Sequence, residues 1–69
     1  MDNIRLEIGF AIRDIRMKQG LKQQELADKA GISLNFIGKI EVAFAKPSFN
    51  TIINIANALN ISLKDLFDF

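Results

Sequence analysis

The side chains of this chain that can do chemistry are lysine, arginine, amide and carboxylate groups, because histidine and cysteine are both absent. That inventory excludes a histidine general base, a His-ligated metal, a disulfide and a Cys-based zinc site. The carboxylates are scattered on solvent faces, and no glycine-rich phosphate loop occurs. An enzyme therefore fails on inventory, and neither a cofactor nor a metal is expected. The cations are unevenly placed. Residues 13–46 hold Arg13, Arg16, Lys18, Lys22, Lys29, Lys39 and Lys46 against Asp14, Glu25, Asp28 and Glu41, an excess of +3. The remainder holds Arg5 and Lys64 against Asp2, Glu7, Asp65 and Asp68, a balance of −2. A positive excess confined to one segment suits a polyanionic partner. Ordinary solvated surface explains +3 equally well, so the spacing around those charges has to decide.

That spacing is most regular from Gln23 to Ser33, followed by Ile37, Ile40 and Glu41. It reads as two short helices joined by one tight turn. Ala27, four residues before Gly31, is small enough for two helices to cross closely. Gly31 suits the positive φ that a three-residue turn requires. Leu26, Ala30, Ile32, Ile37 and Ile40 then face one core. This is the pattern of a DNA-binding helix-turn-helix.

The elements around it follow from periodicity. With 69 residues, four glycines and one proline, the chain reads as one small all-α domain spanning 1–69. A first helix is expected from Ile4 to Gln19, with Ile8, Ile12, Ile15 and Ala11 as its apolar stripe and Gly20 as a left-handed stop. The second runs from Gln23 to Ala30. The third follows a Ser33 N-cap and runs to Glu41. After a loop from Val42 to Pro47, Ser48 caps a fourth helix whose Ile52, Ile55, Ala56 and Leu59 face inward, and Asn60 ends it. Ser62 and Asp65 make a capping-box-like start for a short last helix, Leu63 to Phe67. No run of 18 apolar residues and no signal peptide occurs, so a cytoplasmic protein with no membrane partner is expected. The initial Met and the lack of a trailing linker favour a whole protein.

These motifs together resemble the Xre/Cro/phage-repressor (lambda-repressor-like) helix-turn-helix family. The resemblance rests on Ile12-Arg13-Asp14-Ile15-Arg16, Gly20-Leu21, Gln23 to Ser33, Ile37, Ile40-Glu41, Pro47-Ser48 and Ala58 to Leu63. It implies a compact five-helix domain whose helices 2 and 3 form the helix-turn-helix. It also implies a sequence-specific regulator, a homodimeric repressor on an inverted-repeat operator in double-stranded DNA. By position, Leu34, Asn35, Gly38 and Lys39 match the face that enters the major groove. Asn35 has the amide to pair with adenine, Lys39 reaches guanine or phosphate, and Leu34 offers contact to a thymine methyl. Gln23, Lys46 and Ser48 match phosphate-contacting positions, and Lys22 and Gln24 beside them are further phosphate candidates. Arg16 and Glu41 match an ion pair that joins the first and third helices.

The chain also departs from that pattern. Lys22 stands where a Ser, Thr or Asn usually caps the second helix. Val42-Ala43-Phe44-Ala45 puts four apolar residues where relatives carry Gly and polar residues. Ala43 replaces a Gly that takes positive φ, so either the turn differs or Ala43 is strained. Phe44 is then a candidate for the core, a dimer interface or a protein partner. Ile61, Leu63 and Phe69 are further dimer candidates, while Leu66 and Phe67 are expected to close the core, and Phe10 falls where relatives are half exposed. A protein-interaction module with weak DNA affinity is the alternative function. The low net charge, Gly38 and Leu34 on the reading face, and the apolar Val42–Phe44 loop support it.

Overall fold

The computed structural model describes residues 3–69, of which only the backbone is described at Asn3. Five helices follow in order: α1 (Asn3–Lys18), α2 (Gln23–Ala30), α3 (Leu34–Glu41), α4 (Phe49–Ala58) and α5 (Leu63–Leu66). No strand occurs among the described residues. The first helix starts and stops one residue earlier than its sequence suggests, and the last is a single turn.

The helices form where capping residues and apolar spacing agree. Ser33 accepts a hydrogen bond from the Phe36 N–H at 3.0 Å, Ser48 one from Thr51 at 3.2 Å, and Ser62 one from Asp65 at 3.1 Å. Each satisfies a first-turn donor that the helix itself leaves free. Lysine has no acceptor to offer at the N-cap of α2. There Glu25 supplies half of the arrangement instead, its carboxylate accepting from the Lys22 N–H at 2.7 Å.

One core joins the helices. Ile8 and Ile12 from α1, Leu26, Ala27 and Ala30 from α2, and Ile37 and Ile40 from α3 meet Ile55, Ala56, Leu59 and Leu66. Ala11, Ile15, Leu21, Ile32, Phe36, Ile52, Ile61 and Leu63 pack around it, half-buried. Helix α2 lies against α3 and α4, and α1 against α3 and α5. The Gln19 amide donates to the Leu59 carbonyl at 2.7 Å, tying the end of α1 to the end of α4. Phe67 corrects an expectation, for it is 38% exposed and not core. It falls one residue past α5, beyond the turn that aims Leu66 inward, and its ring lies 6.1 Å from that of Phe69.

Four helices end in the same way. The N–H of the residue past the stop bonds back five residues along the chain, from Leu21 to Arg16, Ile32 to Ala27, Phe44 to Lys39 and Ile61 to Ala56. This is the Schellman arrangement, and it puts the residue before each in the left-handed region. Gly20, Gly31 and Asn60 occupy three of those places without difficulty. Ala43, at φ 64°, occupies the fourth. The usual turn is therefore kept, and the alanine takes the strain. Ala43→Gly is expected to stabilise the fold by about 0.5–1 kcal/mol, because Gly removes a left-handed Cβ penalty of about 1–2 kcal/mol and returns part of it as chain entropy. Thermal melts of the two proteins check this; an unchanged or lower midpoint would mean that Ala43 is not strained.

Candidate nucleic-acid interface

Helix α3 divides its residues cleanly. Ile37 and Ile40 point into the core, Phe36 packs half-buried against it, and Glu41 is buried. Leu34, Asn35 and Lys39 are exposed, and Gly38 is half-exposed between them. Residues one turn apart share a helix face, so Leu34, Asn35, Gly38 and Lys39 form one outward surface. The core uses none of their side chains.

The helix is held at its far end by a buried charge pair. Arg16 Nε donates to Glu41 Oε2 at 2.7 Å and Arg16 Nη2 to Glu41 Oε1 at 3.1 Å. Arg16 Nη1 also donates to the Leu21 carbonyl at 2.7 Å, and the Gln23 amide donates to Glu41 Oε1 at 3.0 Å. The expected Arg16–Glu41 pair is thus present, bidentate, and joined by a third member that spacing did not foretell. Through it, α1, the start of α2 and the end of α3 meet at one carboxylate. The cluster sets the angle at which α3 is presented.

The remaining site residues are placed as follows. Lys22 is exposed at the N-cap of α2, beside first-turn N–H groups that lack an intrahelical acceptor. Gln23 is half-buried by its bond to Glu41, and its side chain borders the α3 surface. Gln24 donates to Asp28 at 2.8 Å on the exposed face of α2. Lys46 and Ser48 are exposed in the loop before α4, and Ser48 is engaged in capping that helix. Ile61 and Leu63 are half-buried against the core, and Phe69 is exposed.

A groove of about 490 Å³ runs along the α3 surface, lined by Gln23, Leu34, Asn35, Gly38, Lys39, Val42 and Phe44. The structure therefore gathers all four proposed base readers and Gln23 into one concave surface, and adds Val42 and Phe44 to it. Sequence reasoning set those two apart as a loop. The signal was in the helix ending: a Schellman turn folds its last residue back toward the third residue from the helix end. Here those two are Phe44 and Lys39, and the Lys39 ammonium sits 5.8 Å from the centre of the Phe44 ring.

Residues 12–66 match the helix-turn-helix family. The chain belongs to the helix-turn-helix family. It is 36% identical over 69 residues to the control protein C.BamHI of Bacillus amyloliquefaciens, covering 99% of this chain and 85% of the relative. A helix-turn-helix transcriptional regulator of Archaeoglobus fulgidus is 38% identical over 58 residues, covering 84% of this chain and 83% of its own. Among solved structures, the restriction-modification controller protein C.AhdI of Aeromonas hydrophila superposes with a TM-score of 0.90 at 29% identity. That match covers 94% of this chain and 98% of the other. In this helix-turn-helix protein the turn itself is Gly31 to Ser33, between α2 and α3, as the spacing predicts. No helix among the described residues is long and apolar enough to cross a membrane.

Proposed function

We propose that this DNA-binding transcription regulator is a cytoplasmic homodimeric repressor that lays α3 in the major groove of an inverted-repeat operator. The observation that carries the reading is the outward face of α3, where an amide, an ammonium and an apolar side chain lie exposed and are not needed by the fold. Asn35 has two donors and an acceptor to match the N6–N7 edge of adenine, and Lys39 a cation for guanine or phosphate. Lys22 and Gln23, at the positive end of α2, supply phosphate contacts that fix its register. Gln24, Lys46 and Ser48 extend that backbone footprint. Ile61, Leu63 and Phe69 supply the dimer interface, which places two α3 helices about 34 Å apart. The similarity to C.BamHI and C.AhdI over nearly whole chains supports a control-protein setting.

Selection from a random duplex pool, at one fixed salt concentration of about 100 mM, tests the reading. An enriched inverted repeat with half-sites one helical turn apart is expected. Asn35→Ala and Lys39→Ala are each expected to weaken binding to that repeat by about 1–3 kcal/mol with little change in melting temperature. A folded sample that enriches no sequence overturns the proposal.

A further inference from the structure

The groove on α3 is more apolar than a surface that reads DNA by hydrogen bonds alone requires. Val42 is 71% exposed and Phe44 73%, and Leu34 stands beside them on the same lining. Among the described residues no carboxylate lines it, and the one charge there is the Lys39 ammonium, held against the Phe44 ring. A cationic, acid-free rim continuous with the α3 face suits the edge of a nucleic acid. An apolar wall inside it suits a carbon group presented at that edge.

Gly38 points the same way from a different observation. It lies in the middle of an eight-residue helix, where glycine is a poor helix former. Nothing in the fold demands it, since an added Cβ would meet only the Gln23 side-chain oxygen, at 4.0 Å. The bare backbone at Gly38 instead opens the floor of the groove between Asn35 and Lys39.

Resting on the reading of this protein as a major-groove binder, we infer that Leu34, Val42 and Phe44 form a slot over Gly38 for the C5 methyl group of a pyrimidine. In the major groove that methyl marks thymine, and 5-methylcytosine carries the same group. Phe44 thus becomes a specificity-determining residue of the DNA face. Its backbone N–H, bonded to the Lys39 carbonyl at 2.8 Å, fixes its place there.

The experiment starts from the operator found by selection and replaces each thymine of one half-site in turn by deoxyuridine, which removes the methyl and nothing else. A second series installs 5-methylcytosine at each cytosine. One or two deoxyuridine positions are expected to weaken binding by about three- to five-fold each, the effect of one buried methyl. If the natural ligand is 5-methylcytosine, the second series tightens binding at one position by a similar factor instead. In the Val42→Ser, Phe44→Ser double variant, whose changes fall on exposed side chains and are checked by melting temperature, those position-specific effects are expected to vanish. The inference is overturned if operator binding is tight but insensitive to every methyl. It is equally overturned if the double variant keeps the same methyl sensitivity, which would leave the exposed Phe44 for a protein partner. Failure of selection to yield any operator would instead overturn the DNA-binding reading on which it rests, and the slot with it.

Discussion

Glu41→Ala is expected to remove about 3–5 kcal/mol of folding stability. The Glu41 side chain is 1% exposed and the Arg16 side chain 11%, so the carboxylate has no water to fall back on and the guanidinium has little. Removing the carboxylate strands the guanidinium with the Leu21 carbonyl as its remaining partner and leaves the Gln23 amide without its acceptor. The penalty comes mainly from the uncompensated buried charge, and only in small part from the lost attraction. Small domains have roughly 5–15 kcal/mol in total, and a chain of this size sits toward the lower end. The variant should therefore be largely unfolded at temperatures where the parent is intact. Lys39→Ala, which changes an exposed side chain on the same helix, should stay within about 0.5 kcal/mol. Urea titrations of the three proteins followed by circular dichroism check the difference, and equal midpoints for the two variants would sink it. Replacing both partners, as in Arg16→Met with Glu41→Met, should cost less than the two single changes added together, because no charge is then left buried alone.

Much of this architecture is written in residues whose physical demands are local. Ser33, Ser48 and Ser62 cap helices because a short hydroxyl reaches a first-turn N–H, and the sequence position alone predicts it. Gly20, Gly31 and Asn60 mark left-handed stops for the same kind of reason. The apolar stripe of Ile8, Ile12 and Ile15 needs only the helical period to be read. What was not legible depends on which elements meet in space. Phe67 reads as a core residue by type, yet the helix before it ends one residue too soon to aim it inward. The Gln23–Glu41 bond joins residues 18 apart, and no local rule brings them together. Phe44 reads as a stray apolar residue in a loop until the Schellman turn is seen to carry it onto the reading face. The candidate site was thus legible in its members on α3 and illegible in the neighbours that shape the groove around them.

Gly9 is the residue whose importance is visible only in three dimensions, and Gly9→Ala is expected to destabilise the fold by about 1–3 kcal/mol. Glycine inside a helix ordinarily invites the opposite result, since alanine is the better helix former by about 1 kcal/mol. At position 9, however, α1 crosses the end of α3 so closely that an added Cβ would lie 2.4 Å from the Ile40 carbonyl oxygen and 3.2 Å from that of Glu41. Those are backbone atoms, which cannot rotate away, so the helices themselves must separate. Overpacking of this kind costs about 1–3 kcal/mol and outweighs the gain in helix propensity. Separation at that point also moves the carbonyl end of α3 and disturbs the Arg16–Glu41–Gln23 cluster, so operator affinity should fall with stability. Gly38→Ala supplies the control, for there the nearest atom is 4.0 Å away. That substitution should follow propensity and raise stability by about 0.5–1 kcal/mol. The same chemical change at two helical glycines is thus expected to act with opposite signs. Thermal melts in which Gly9→Ala, like Gly38→Ala, raises the midpoint would show that the α1–α3 crossing is not as close as the structure places it.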